Sequence, residues 1–338
     1  MTPHEIAVLT IEPLPSRTFG GLIRVKDARP FVAAMEAAPA TLPAALDARH
    51  GLLVLTGMNA INDDPDLLVR LSRPFGKEVE NYRGTTSLQN MVHPAVPQIF
   101  IVSNLPPVNF APPPRPEPPF LPDGGLPVQF PHRRGWHTDQ SFRRPPPDIS
   151  LFYAATPAPR DQGQTLYADG VAAYDSLPAD LKARVKGLQA LHVAPYHGYG
   201  EDEVRAGASP KPLGPRDGPQ PQPIVRVHPV TGRKALYLCE QEQLDWIHGP
   251  IVGLEPGVDG EGGRLVYALM RHYTQPAFVY VHEWTVGDMV IYDNRSTIHT
   301  ATWFDAERHG RVMWRTTVWG NPGAAYAGEA RSWEAAAR

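Results

Sequence analysis

DMVIYDNRSTIHTATWF, residues 288–304, and RVMWRTTVWG, residues 311–320, decide the fold. Both are rich in β-branched and aromatic residues, and the turn-like DNRS interrupts the first, so they read as consecutive strands. The same signature recurs upstream in QIFIVSN, ISLFYAAT, QTLYAD, LHVAP, PIVRVHP, RKALYL and FVYVHEW, with PVTG forming a hairpin turn between Val227 and Arg233. The first third is mixed. RPFVAAMEAA and TLPAALDARHG read as helices before a strand-like LLVLTG, and Asp64 followed by Pro65 reads as the N-cap and first-turn proline of another helix carrying Leu67, Leu68 and Leu71. PADLKARVKGL and EGGRLVYALMRHY are helical but do not alternate regularly with the strands. A doubly wound parallel sheet therefore fits poorly, and a mainly β jelly roll with flanking helices fits better and is the expectation.

The 338 residues are ample for a buried core and are expected to form one domain, 1–338. Lys+Arg 32 against Asp+Glu 35, with no long run of either sign, argues against a nucleic-acid or polybasic membrane surface. The single cysteine, Cys239, has no intramolecular disulfide partner, no signal-like apolar run precedes Arg17, and no apolar stretch approaches a membrane span. The expectation is a cytoplasmic protein. Prolines (39) are concentrated in two excursions, at about 106–133 and 196–223; the stretch 106–122 holds nine and 207–223 holds six. Neither is expected to supply a ladder of backbone donors, and both read as insertions or as covers of a site mouth.

GWHTDQSF places His137 and Asp139 two positions apart, so on an extended segment the imidazole and carboxylate project from one face. His299, in a strand pattern after DNRS, is the best candidate for a third ligand. Two histidines and a carboxylate define the facial triad of non-haem Fe(II) oxygenases. Alone the pattern also fits satisfied core or surface histidines. Arg311 and Arg315, four apart on one strand, share a face, and two inward arginines would be costly to bury without anions.

The ordered series WHTDQSF, GQTLYADGVAAYDSL, YDNRSTIHTAT and RVMWRTTVWG resembles the taurine dioxygenase family of Fe(II)/2-oxoglutarate-dependent oxygenases, as do TIEPLPSRTFGGLIRV, LLVLTG and RLSRPFG upstream. The resemblance implies a double-stranded β-helix, Fe(II) held by His137, Asp139 and His299, dioxygen as oxidant, and 2-oxoglutarate as cosubstrate, its distal carboxylate bound by Arg311 and Thr165. It further implies that Arg315 meets the anionic end of a small substrate such as a sulfonate, sulfate ester, phenoxyalkanoate or amino or carboxylic acid, with Tyr82, Trp136 and Gln140 as candidate pocket residues. Hydroxylation beside a heteroatom can end in bond cleavage. Retention of Asp139 favours hydroxylation over halogenation, and related enzymes are often dimers or tetramers.

The competing readings are a jelly-roll metal-dependent hydrolase or isomerase that does not use dioxygen, and a binding protein on the same scaffold. Arg311 and Thr165 speak against the first, because a redox-inactive site has no evident need of a second anion clamp. His192 and His197 lack zinc-hydrolase spacing and read as structural. GVDGEGG, 257–263, reads as a solvent loop, Cys239 as a packed thiol, and no G-x-S-x-G elbow is present.

Overall fold

The computed structural model describes residues 9–15, 19–115, 135–214, 217–240 and 243–334. Two sheets face one another. The major sheet has eight strands, running Glu12–Pro13, Gly21–Arg24, Leu52–Thr56, Met289–Asp293, Ile149–Thr156, Val312–Trp319 and Glu78–Val79, with Phe100–Ser103 also paired to Val312–Trp319. The minor sheet has Thr165–Asp169 between Val279–His282 and Thr297–Ala301. Gly21–Arg24 and Leu52–Thr56 pair in parallel, and the other ladders are antiparallel, the pattern of a jelly roll.

Period-two alternation explains the layering. Leu53, Leu55, Leu151, Tyr153, Met289 and Ile291 bury one face of the major sheet against helices Ala28–Ala37, Thr41–Ala48 and Asp66–Ser72, which contribute Val32, Met35, Leu42, Leu46, Leu67, Leu68 and Leu71. The intervening Leu52, Val54, Val290 and Tyr292 turn to the other sheet and meet Tyr167, Tyr280 and Trp284. Behind the minor sheet, Leu166, Ala168 and Ile298 pack on helix Glu261–Tyr273, whose Leu265, Val266, Leu269, Met270 and Tyr273 form its apolar stripe. Burying each such leucine contributes about 1.5–3 kcal/mol.

Three local expectations need correction. Asp64 does not cap its helix: Pro65 occupies the N-cap position, and the Asp64 carboxylate accepts a bond from Arg29 at 2.5 Å instead. The end of the second proline-rich excursion does supply a ladder, because Gln220–Pro223 pairs antiparallel with Gln189–His192. Prolines at every second position leave the alternate glutamine N–H groups available. GVDGEGG is only partly loop, since Gly262 and Gly263 are buried in the first turn of the helix Glu261–Tyr273. A Cβ on Gly263 would lie 2.7 Å from the Val258 carbonyl oxygen, so only glycine fits that approach. Of the first excursion, residues 116–133 lie outside the described residues, while its base is anchored by Asn104, whose Oδ1 accepts from the Arg311 N–H at 2.8 Å. The PVTG hairpin stands as expected, joining Val225–Val227 to Lys234–Leu236.

Candidate active site

The space between the sheets is polar at one end. His137 lies just outside a regular strand, yet its backbone exchanges two hydrogen bonds with His299, at 2.9 and 2.8 Å, which seats the HxD segment on the edge of the minor sheet. The two imidazole centroids are 4.2 Å apart, and one donor atom from each of His137, Asp139 and His299 lies within 4.8 Å of the others.

His137 and Asp139 are oriented from behind, whereas His299 Nδ1 is buried with no hydrogen-bond partner among the described residues. His137 Nδ1 lies 2.6 Å from the Gly135 carbonyl oxygen, a contact that keeps the ring proton on Nδ1 and leaves the Nε2 lone pair free. Asp139 Oδ2 accepts from Ser150 Oγ and Tyr292 OH, both at 2.7 Å. Asn294 Oδ1 accepts from the Asp139 N–H at 3.0 Å, while its amide donates to Ser150 Oγ at 2.9 Å. Ser150 and Tyr292 are direct partners across the major sheet, so one rung of the ladder aims both hydroxyls at the carboxylate. Burial alone would raise the Asp139 carboxyl, but Arg315, the two imidazoles and the Tyr292 hydroxyl hold it well below the usual carboxylate range. His299 is pushed down to about 3 by burial, reinforced by His137, and so offers a neutral imidazole. Two imidazoles and an ionised carboxylate suit a divalent ion such as Fe(II).

Arg311 and Arg315 share a face despite a bulge between Val312 and Met313: Phe152, the cross-strand partner of Arg315, carries the Arg311 guanidinium over its ring at 5.9 Å. Their environments differ. Arg311 Nε and Nη2 are buried with no hydrogen-bond partner among the described residues, and burial pushes the group down to about 10. Gly163, at φ +60, allows this packing; a Cβ there would come within 2.9 Å of Ala158 Cβ and 3.5 Å of Arg311 Nε. Arg315, in contrast, is bonded through Nη1 to Asp139 Oδ1. The expectation of a lone cation awaiting a substrate anion is therefore corrected: its charge already has a partner, while its buried Nε has none among the described residues.

Thr165 opens the central strand of the minor sheet, and its hydroxyl accepts the Trp284 indole N–H at 2.9 Å. Gln140, in the left-handed region at φ 50, donates to Glu80 at 2.6 Å and leaves Oε1 unpaired among the described residues. Tyr82 donates or accepts at Thr317 Oγ1, 2.6 Å away, and its ring lies 5.1 Å from Phe100. Trp136 is fully buried in the core with Leu166, Ile298 and Trp246, which makes it a packing side chain rather than a surface for a ligand. Sequence reasoning missed Tyr292, Ser150, Asn294 and Trp284; the YDNRS stretch held two of them in plain view.

The other candidates serve as supports. His192 Nδ1 meets Ser141 Oγ at 2.8 Å, Cys239 is buried with its thiol pushed up to about 11 by burial, and Gln222 holds the Ser141 and Arg143 carbonyls at 2.7 and 2.9 Å. All three brace the segment that follows Asp139. A second His/Asp cluster, Asp47, His228 and Asp293, also brings one donor atom of each residue within 4.8 Å of the others, but it is wired differently. His228 Nδ1 accepts the Val230 and Thr231 N–H groups at 3.3 and 3.1 Å, so Nε2 carries the proton and donates to Asp293 at 2.8 Å. Arg295 bonds both Asp293 oxygens, at 2.8 and 2.7 Å.

This fold and site define a jelly-roll, facial-triad oxygenase. Residues 25–317 match the model of the taurine catabolism dioxygenase TauD, TfdA family, and the chain belongs to that family. It is 37% identical to a (S)-phenoxypropionate/alpha-ketoglutarate-dioxygenase of Sphingobium herbicidovorans over 60% of this chain and 70% of that protein. It is also 34% identical to an alpha-ketoglutarate-dependent 2,4-dichlorophenoxyacetate dioxygenase of a Burkholderia species over 54% of this chain and 57% of the relative. The crystal structure of AAD-2 with Mn(II) and N-oxalylglycine superposes with a TM-score of 0.69 at 28% identity, covering 93% of this chain and 98% of that one. The chain is accordingly an Fe(II)- and 2-oxoglutarate-dependent dioxygenase, an oxidoreductase, and the hydrolase reading finds no support.

Proposed function

We propose that the substrate is a small aryloxyalkanoic acid, oxidised at the carbon that bears the ether oxygen. The observation that carries this reading is the pairing of a cation with an aromatic wall beside the triad: the Arg315 guanidinium lies 5.2 Å from the Phe100 ring centre, and the Phe100 and Tyr82 rings meet at a tilt of 44° with centroids 5.1 Å apart. The names of two relatives, active on phenoxypropionate and on dichlorophenoxyacetate, point the same way.

In this reading His137, Asp139 and His299 hold the ferrous ion, which when bound supplies dioxygen activation coupled to oxidative decarboxylation of 2-oxoglutarate to succinate and carbon dioxide. Arg311 and Thr165 hold the distal carboxylate of 2-oxoglutarate, since the buried guanidinium needs an anion and the clamp offers donors alone. Arg315 turns its free Nε to the substrate carboxylate while Nη1 stays on Asp139, so one side chain orients both substrate and metal ligand. Gln140 Oε1 and the Tyr82 ring complete the pocket wall. Phe152, Phe304 and Trp284 keep water from the clamp, where a low dielectric strengthens the charged contacts. Hydroxylation at the ether-bearing carbon gives a hemiacetal or hemiketal that expels a phenol, so the net result is C–O cleavage.

A cytoplasmic setting belongs to the same proposal, supported by the single free, buried cysteine; among the described residues no helix is long and apolar enough to cross a membrane. Succinate and phenol release across a panel of phenoxyalkanoates, sulfonates, sulfate esters and amino acids tests the substrate. Phenoxyalkanoates should give the highest kcat/KM, and Arg315→Ala should raise the KM for that acid far more than the KM for 2-oxoglutarate. Turnover confined to sulfonates or sulfate esters would overturn the aromatic part of the reading.

A further inference from the structure

Thr165 is held on one side by a group that has no part in metal binding. The indole N–H of Trp284 donates to Thr165 Oγ1 at 2.9 Å, and an indole nitrogen can only donate. A threonine hydroxyl has two lone pairs and one proton. With one lone pair taken, the proton is turned away from the indole, and it meets no acceptor among the described residues. Trp284 and Arg311 lie against the same side chain, since the Trp284 ring meets Phe152 edge-on at 5.5 Å and the Arg311 guanidinium sits 5.9 Å from the Phe152 ring centre. The side chain that holds the Thr165 hydroxyl and the guanidinium with two unpaired nitrogens thus flank the same Phe152 ring.

The indole itself is braced. His282, the cross-strand partner of Thr165, packs perpendicular to Trp284 with centroids 4.4 Å apart. His282 Nδ1 meets Tyr280 OH at 3.0 Å, and its Nε2 lies 3.5 Å from Asp288. Trp284, Tyr280, His282 and Asp288 are all buried, so the indole direction is set by the protein before any ligand arrives.

We infer that Trp284 is a positioning residue for the cosubstrate: by occupying a lone pair of Thr165 it makes that hydroxyl a pre-aimed donor, and with Arg311 it completes a clamp that accepts only an oxyanion. This rests on the assignment of Arg311 and Thr165 to the distal carboxylate of 2-oxoglutarate. Its consequence is a coupling. Trp284 acts through Thr165, so its contribution vanishes when the hydroxyl is absent.

The test is calorimetric titration of N-oxalylglycine and of 2-oxoglutarate into Mn(II)-loaded protein, for the wild type, Trp284→Phe, Thr165→Val and the double variant. Thr165→Val should weaken binding about tenfold and Trp284→Phe about five- to tenfold, values in keeping with the loss of one hydrogen bond to a charged group. The double variant should bind within twofold of Thr165→Val alone. Steady-state kinetics should show a raised KM for 2-oxoglutarate with little change in kcat. Equal, additive losses in both backgrounds would mean that Trp284 acts by packing on Phe152, and would overturn the inference. An unchanged affinity for Thr165→Val would instead remove the underlying clamp assignment. If Trp284→Phe fails to fold, benzothienylalanine at position 284 keeps the ring and removes the N–H, and it must show the same loss for the inference to stand.

Discussion

Among the described residues, two clusters of three gather histidine and aspartate within metal-ligating distance, and their wiring separates them. Around Asp139, the Gly135 carbonyl takes the His137 ring proton and Ser150 and Tyr292 hold the outer carboxylate oxygen, so the His137 Nε2 lone pair is left beside His299 and beside Asp139 Oδ1, which Arg315 also meets. Around Asp293 the same residue types point at one another: His228 donates its only ring proton to Asp293, and Arg295 takes both carboxylate oxygens. A donor list is thus insufficient to define a metal site. What matters is which lone pairs the surrounding hydrogen bonds leave unspent.

The sharpest way to break this comparison is to remove one member from each cluster. His137→Ala or Asp139→Ala should abolish high-affinity Mn(II) or Fe(II) binding and lower turnover at least about a thousandfold, equivalent to about 4 kcal/mol. Metal content and succinate release would show it. Asp293→Asn should leave metal stoichiometry intact yet lower the unfolding free energy by about 3 kcal/mol, because the buried Arg295 loses its one directly bonded carboxylate among the described residues. Urea unfolding of the metal-free protein checks this, and loss of a bound metal ion in that variant would erase the distinction.

The next effect contrasts the two arginines. Arg311 has unspent donors and Arg315 has Asp139. Arg311→Gln should raise the KM for 2-oxoglutarate about a hundredfold, the loss of about two charge-assisted hydrogen bonds, without altering metal affinity. Direct Mn(II) titration beside 2-oxoglutarate kinetics separates the two outcomes.

Much of this was legible in the residues. Period-two spacing set His137 beside Asp139 and Arg311 beside Arg315, and the strand–turn–strand reading of 288–304 carried His299 to the same place. Spacing specifies which face a side chain takes, not what stands opposite. That is why the Arg315–Asp139 ion pair, the full burial of Trp136 and the Trp284–Thr165 bond emerged only from the packed sheets. Asp64 and the Gln220–Pro223 strand went astray for a related reason. Cap and proline rules describe local preference, whereas a neighbouring arginine or a partner strand decides the outcome.

The smallest expected effect concerns a histidine outside both clusters. His192 is buried and hydrogen-bonded to Ser141, and burial pushes it down to about 3 from an ordinary 6.5. The unfolded chain therefore binds a proton that the folded one refuses once the pH falls below about 6.5. Stability should drop by about 1.4 kcal/mol per pH unit on this account as the pH falls toward 3. His192→Gln should flatten the acid limb of urea unfolding measured between pH 6.5 and 4.5 by that amount; an unchanged slope would show that the imidazole is already charged in the folded state.

The central claim is that His137, Asp139 and His299 gather one ferrous ion beside an anion clamp built on Arg311. Anaerobic addition of Fe(II) and 2-oxoglutarate tests it most directly. The account predicts a weak visible metal-to-ligand charge-transfer band at one iron per chain, absent from Asp139→Ala and displaced to higher 2-oxoglutarate concentration in Arg311→Gln. No band at saturating ligand, or an equal band in Asp139→Ala, would contradict it.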